Sequence, residues 1–225
     1  MGLKDSEHIG NIIVDPNNSD IIYVSAYGPL WSKGGERGVY KSENGGESWK
    51  LILYVDEHTG INEIHMDPEV SNVLYDTAHQ RRRHVYTYVG GGPGSSVYKS
   101  TDAGASWRKI NKGLPGVEIG RIGMDISPVD NNVLYAIVEA ADRQGGFYKS
   151  VDMGESWSKQ SGKVTSGNYY QEIFADPVDL ETVYVMDTWM SVSKDGGKTF
   201  KNVGEDFKHV DNHAYDTTDD DHDNN

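Results

Sequence analysis

Apolar and polar residues alternate in short runs along this chain, and the same alternation returns four times in front of a turn signal. Asp15-Pro16, Asp67-Pro68, Ser127-Pro128 and Asp176-Pro177 are each preceded, one and three places back, by an apolar pair: Val14 and Ile12, Met66 and Ile64, Ile126 and Met124, Ala175 and Ile173. A period of two marks a strand with one buried face. It predicts first strands over 11–14, 63–66, 121–126 and 171–175. Eight residues after each turn Asp or Ser stands a tyrosine (Tyr23, Tyr75, Tyr135, Tyr184). The surrounding β-branched and aromatic residues predict second strands over 21–25, 73–77, 133–138 and 182–186. Helical periodicity is missing throughout.

A second signal follows in fixed order. Ser100-Thr101-Asp102-Ala103-Gly104-Ala105-Ser106-Trp107 matches S-x-D-x-G-x-[ST]-[WF], and the pattern recurs from Ser42, Ser150 and Ser193 with one lapse, Asn44 in place of the acid. A short acid accepts bonds from backbone amides a few residues on, and glycine supplies a positive φ, so each box reads as a hairpin turn. Asn44, Asp102, Asp152 and Asp195 are then turn fasteners, and Trp49, Trp107, Trp157 and Phe200 anchor the outgoing strands in the core. Third strands are expected over 39–42, 97–100, 147–150 and 191–193, and fourth strands over 48–53, 106–110, 156–160 and 199–203.

Four strands per unit, with box-to-box intervals of 58, 50 and 43 residues, predict an all-β β-propeller of four consecutive four-stranded blades. The blades are expected at about 8–53, 61–111, 119–161 and 169–204 of one propeller segment, 1–225, and an incomplete fifth unit at 205–225. The unfinished unit leads to the expectation of a partial arc of a larger propeller, whose missing blades would be its partners.

The boxes, together with Gly38-Val39-Tyr40-Lys41-Ser42, Gln80-Arg81-Arg82-Arg83, the glycine run 90–94 and His209-Val210-Asp211-Asn212-His213, make the chain resemble the Asp-box (BNR) repeat propellers of the sortilin-type, glycosyl-hydrolase-labelled family. Sialidases, xyloglucanases and a photosystem assembly factor share such boxes, so they specify fold better than activity. The resemblance implies a binding propeller for a peptide or glycan. Alternatively, it implies a glycoside hydrolase working through paired carboxylates. It also suggests an extracellular or periplasmic setting, although residues 1–10 carry no apolar leader.

Spacing separates two faces of such a propeller. The turn-to-Tyr interval and the box length never vary, whereas Tyr and box Ser lie 19, 25, 15 and 9 residues apart, so the variable loops between second and third strands share the opposite face. Ligand-binding candidates on that face are Trp31, Gln80, Arg81, Arg82, Arg83, His84, Arg143 and Trp189. Arginine forks either grip a carboxylate, such as an acidic sugar or peptide C-terminus, or pair with acids of adjacent blades. The tryptophans either stack on a sugar or pack inward. Glu63 and Glu172 occupy one position on the channel-lining first strands, where they are either the two carboxylates of a hydrolase or solvated channel acids. His209, Asp211 and His213 alternate, so on a strand they would share a face, as metal ligands or as structural side chains. The acids from Asp216 to Asp223 do not match a calcium loop.

Composition narrows the partners. With 21 basic against 35 acidic side chains, net charge −14, the chain would repel phosphates, which argues against nucleic acid. There is no cysteine and hence no disulfide or thiol chemistry, and no run long and apolar enough for a membrane span. No cofactor fingerprint is present.

Overall fold

The computed structural model describes residues 2–204 and 211–213. Four antiparallel four-stranded sheets follow one another along the chain. The first comprises β1 (Ile9–Asp15), β2 (Asn18–Ala26), β3 (Gly38–Ser42) and β4 (Lys50–Leu53). The second holds β5 (Thr59–Met66) and β6 (Leu74–Gln80), then, beyond an inserted hairpin of β7 (Arg82–His84) and β8 (Thr87–Val89), β9 (Ser96–Ser100) and β10 (Arg108–Lys109). The third is β11 (Ile119–Ile126), β12 (Leu134–Ala140), β13 (Gly146–Ser150) and β14 (Ser158–Ser161). The fourth is β15 (Ile173–Ala175), β16 (Val183–Val185), β17 (Ser191–Ser193) and β18 (Lys201–Asn202). This is the all-β, consecutive-blade architecture that the repeats predict.

Two details differ from expectation. The second strand of the second sheet, expected to end at 77, runs on to Gln80, so the loop after it begins at Arg81, and that loop contains a hairpin of its own. Glu172 lies one residue before β15, whereas Glu63 is inside β5, so the two acids are not equivalent strand residues.

Alternation along the second strands explains how the blades stack. Tyr75 faces the third sheet, in a cluster with Met124, Ile126, Leu134 and Trp157, while Leu74 and Ala78 face the first, beside Tyr23, Val39 and Ile64. Tyr135 and Phe147 continue the pattern into the fourth sheet against Ile173 and Val183. Each fully buried aliphatic or aromatic side chain contributes about 1.5–3 kcal/mol, so these inter-sheet layers hold the stack together. Ile12, with no described sheet on that side, is 60% exposed, whereas Ile64 at the same place in the second sheet is fully buried.

The repeated Tyr and the Lys before each box are cross-strand partners. Tyr23 pairs with Lys41, Tyr75 with Lys99 and Tyr135 with Lys149, with the ammonium 5.6, 5.2 and 5.4 Å from the ring centre. The fourth sheet has Val192 opposite Tyr184 instead.

Each box closes as one motif. The first Ser Oγ accepts from the glycine amide four residues on, at 2.8, 2.9, 2.9 and 2.8 Å for Ser42, Ser100, Ser150 and Ser193. Asp102 Oδ1 accepts from Ser100 Oγ and the Ser106 amide, both at 2.8 Å, and Oδ2 accepts from Ser106 Oγ at 2.6 Å. Asn44 keeps this pattern: its Oδ1 accepts from Ser42 Oγ and the Ser48 amide, and its Nδ2 donates to Ser48 Oγ at 2.9 Å. The lapse in the motif is therefore isosteric. Of the aromatic anchors, Trp157 is buried and donates Nε1 to the Ile110 carbonyl at 2.8 Å. Trp107 and Phe200 are partly buried against their clusters, and Trp49 is partly buried as well.

Candidate functional site

Backbone bonds assign the two faces. Box amides Gly45, Ala103, Met153 and Gly196 donate to Asp20, Asn72, Asn132 and Glu181, so boxes and first turns share one face. On the other, Gly34 donates to Glu57, Arg81 to His58, Arg83 to Leu30 and Gly92 to Ile119, which binds the second-to-third-strand loops to the crossovers between sheets.

Among the described residues, the exposed aromatic rings fall on one of these faces. Trp31, Tyr54, Tyr86, Tyr169 and Trp189 are 59, 53, 86, 68 and 53% exposed, and all five stand on variable loops or crossovers. The turn face exposes Val70, Val129, Val151 and Val178 but, among the described residues, no strongly exposed aromatic ring.

Trp31 is held out by an arginine that the sequence reading missed. Arg37 is 1% exposed and donates to the carbonyls of Gly34 (2.9 Å), Tyr27 (2.8 Å), Ser32 (3.0 Å) and Pro29, so one side chain fixes the whole 27–37 loop. The available signal was Gly28, with φ +74°, where a Cβ would meet Arg37 Cγ at 2.4 Å.

In the second insertion Gln80 is built into the frame. Its amide donates to Ser95 Oγ at 3.0 Å and its Oε1 accepts from the Gly94 amide at 3.1 Å, clamping the glycine run. Arg81 lies over Tyr27, its Cζ 3.3 Å from the ring centre. Tyr27 donates to His79 Nδ1, and His79 Nε2 donates to the Gly90 carbonyl at 3.1 Å. Burial pushes His79 down to about 3 and Tyr27 up to about 12, so both are neutral and each ring nitrogen has one role. Arg82 Nη2 donates to His58 Nδ1 at 3.0 Å, Arg83 lies 4.9 Å from the centre of the Tyr88 ring, and His84 stacks on Tyr86 at 5.6 Å. Arg143 is exposed on a 3-10 turn, Ala141–Arg143, in the third sheet's loop, away from this hairpin in the chain.

The first-strand acids are engaged. Glu63 Oε2 accepts from the Met124 amide at 3.0 Å and lies 3.3 Å from His65 Nε2, tying β5 to β11. Asn11 and Asp125 make the corresponding links, accepting from the amides of Ile64 and Ala175 at 2.9 and 2.8 Å. Glu172 Oε1 accepts from Arg121 Nη2 at 2.6 Å, while its Oε2 is buried without a hydrogen-bond partner, 3.9 Å from His213 Nδ1.

His213 stacks on Tyr170 at 5.1 Å, and its Nε2 is 3.4 Å from Asp211 Oδ1, so these two join Glu172 beside the Trp189 loop. Residues 211–213 are not in a strand, contrary to the alternation expected of them, and His209 and the acids from Asp216 to Asp223 lie outside the described residues. Among the described residues no group of three or more His, Asp or Glu side chains is arranged to hold a metal ion. No helix among them is long and apolar enough to cross a membrane.

What fold and site define together is a set of Asp-box propeller blades with an aromatic, arginine-bearing loop face. No family model matches the sequence. The chain is similar to xyloglucanase Xgh74A of Acetivibrio thermocellus, 26% identical over 169 residues, covering 70% of this chain and 18% of that protein. A xyloglucanase of Paenibacillus sp is 26% identical over 230 residues, 87% of this chain and 21% of its own length. The chain thus spans about a fifth of the length of these curated relatives. Among solved structures, the GH74 xyloglucanase from Xanthomonas campestris superimposes with a TM-score of 0.64 at 18% identity, over 84% of this chain and 28% of that one. YCF48 bound to D1 peptide gives 0.54 at 11% identity, over 91% and 56%. At these identities the structural matches speak to fold alone, and the sequence matches fall on the hydrolase side of the expected resemblance.

Proposed function

We propose that the chain is a polysaccharide-binding part of a xyloglucanase-like propeller, and that its loop face carries the aromatic platforms on which a glucan backbone lies. The observation that carries this reading is the one-sided distribution of exposed rings: Trp31, Tyr54, Tyr86, Tyr169 and Trp189 on the loop face against aliphatic side chains on the turn face. Monomeric globular proteins bury most of their aromatic surface, and a flat ring fixed in solvent offers a sugar face an apolar partner without rearrangement. The similarity to two xyloglucanases supports a plant-type β-glucan as the polysaccharide. Glu63 serves in this reading as a staple between sheets. Glu172, with one oxygen free of hydrogen bonds, is the stronger candidate of the pair for work on a substrate.

Affinity electrophoresis in gels containing xyloglucan tests the proposal. Retardation is expected, and Trp31→Ala and Trp189→Ala each weaken binding by about tenfold, on the scale of a lost stacking contact of ~1–1.5 kcal/mol. The turn-face control Val151→Ala leaves retardation unchanged. Absence of retardation by any neutral β-glucan, or equal losses from Val151→Ala, overturns it, and selective binding of a peptide would favour the other similarity.

A further inference from the structure

Although acidic overall, the chain gathers guanidinium groups at one place and gives Arg81 and Arg82 no ion pair with a carboxylate among the described residues. Arg81 has Nε and Nη2 buried without a hydrogen-bond partner, and Arg82 Nε is in the same condition. The charged or titratable groups that bear most on Arg81 are Tyr27, Tyr88 and Arg121, none of them an acid. Arg37, whose donors all go to neutral carbonyls, senses Arg82 and Arg81 as like charges more strongly than it senses the carboxylates of Asp56 and Glu7. The nearest acids are committed elsewhere: Glu57 to Lys33 at 3.2 Å and His58 at 3.4 Å, and Asp56 Oδ1 to the His58 amide at 2.7 Å. A cation removed from water without a counter-ion costs several kcal/mol, so a fold that keeps one preformed is prepared for an anion.

The geometry favours a particular anion. Contact with Tyr27, which the neutral His79 holds in place, fixes the Arg81 guanidinium, whose Nε–Nη2 edge is buried and has no hydrogen-bond partner. Two parallel N–H groups on one edge match the two oxygens of a carboxylate. Arg81 also lines a cleft of about 250 Å³ with His58, Gln80, Arg82, His84 and Val89. It is below the ~300–1,000 Å³ of a pocket for a drug-sized ligand, which suits one sugar ring and not a folded peptide segment. The Arg83 amide donates to the Leu30 carbonyl at 3.0 Å, so the cleft adjoins the loop that carries Trp31.

We propose that the cleft between His58 and the Arg82–Val89 hairpin is an anionic-sugar subsite, in which Arg81, supported by Arg82, takes the carboxylate of a uronic acid residue. This rests on the glycan-binding reading and narrows it: the polysaccharide bound here carries acidic residues among neutral ones. Arg81 does not contact the neutral part of the chain in this account, and Trp31 does.

Isothermal titration of the full chain distinguishes the two levels, with three probes: a neutral xyloglucan oligosaccharide, a tetragalacturonate, and a short peptide with a free C-terminal carboxylate. The tetragalacturonate is expected to bind, more weakly as salt rises, and to lose at least about tenfold in affinity in Arg81→Gln and in Arg81→Lys, which keeps the charge but loses the fork. Binding of the neutral oligosaccharide stays unchanged in both variants, which also shows that they are folded, while Trp31→Ala weakens it. Should Arg81→Gln fail to fold, Arg82→Gln replaces it, with a loss of several-fold expected. Uronate affinity that is absent, or indifferent to Arg81 and Arg82, overturns the subsite whatever the neutral probe does. Preference for the peptide over the uronate, with the same arginine dependence, overturns the sugar assignment. Failure of the neutral probe alone removes the platform reading and leaves the anion subsite standing.

Discussion

The Tyr75 hydroxyl donates to the Met153 carbonyl oxygen 3.2 Å away, across the interface between the second and third sheets. Tyr23 and Tyr135 do the same toward Ala103 and Leu180, so the tyrosine placed eight residues after the first turn reaches the turn face of the next blade in the first three sheets, while Tyr184 donates to Asp176 Oδ2 of its own turn. One sequence repeat thereby sets both the alternation within a sheet and the stacking between sheets. Tyr75→Phe is expected to cost about 1 kcal/mol, the worth of one hydrogen bond, because Lys99 Nζ still donates to the Met153 carbonyl at 2.8 Å. Urea unfolding measures it, and an unchanged midpoint would show that the bond contributes nothing.

The boxes predict an acid limit. Hydrogen bonds from Ser106 and Ser100 hold the Asp102 carboxyl at about 2, and Thr199 and Ser193 do the same for Asp195. A folded-state value below the unfolded one means stability that is fully present above pH 4 or so and is lost as pH falls through about 2. Asp102→Ala lowers the thermal midpoint by a few degrees at neutral pH and flattens this acid dependence. Asp102→Asn, copying what Asn44 does in the first box, keeps the midpoint near that of the parent while flattening the dependence equally. Calorimetric scans between pH 2 and 7 separate these outcomes.

Asp76 works against the fold. Val24, Ala136 and Val185 occupy its place in the other sheets, yet Asp76 is fully buried in β6 and neither carboxyl oxygen has a hydrogen-bond partner. Burial raises it well above the ordinary carboxylate range. The folded state therefore holds a proton that the unfolded chain releases above pH 4 or so, and stability falls as pH rises from there toward the raised folded value. Asp76→Val is expected to stabilise by about 1–3 kcal/mol, more at pH 7 than at pH 4. A destabilised variant would mean that the carboxyl has a role the fold requires.

Much of the architecture was legible because the repeat states it four times: apolar pairs before the turn, Tyr in the second strand, and a box of fixed length give the strand order and the two faces. The inserted hairpin was not legible. Arg82-Arg83-His84 carries no apolar alternation, and its pairing with Thr87–Val89 depends on the frame around it rather than on a buried face. Arg37 was missed for a related reason: an arginine in a Gly-rich polar loop reads as solvated, and only the backbone carbonyls folded around it show otherwise. Glu63 and Glu172 were paired by counting back from the turn. The backbone places one in a strand and the other before it, with different partners.

The central claim is that ligand binding belongs to the loop face while the boxes are frame. Hydrogen exchange by mass spectrometry, with and without a saturating xyloglucan oligosaccharide, tests it most directly. The account predicts new protection in peptides covering 27–37, 81–94, 163–170 and 186–190, and none in the box segments 42–49, 100–107, 150–157 and 193–200. Protection concentrated in the box segments, with the variable loops unchanged, would contradict it.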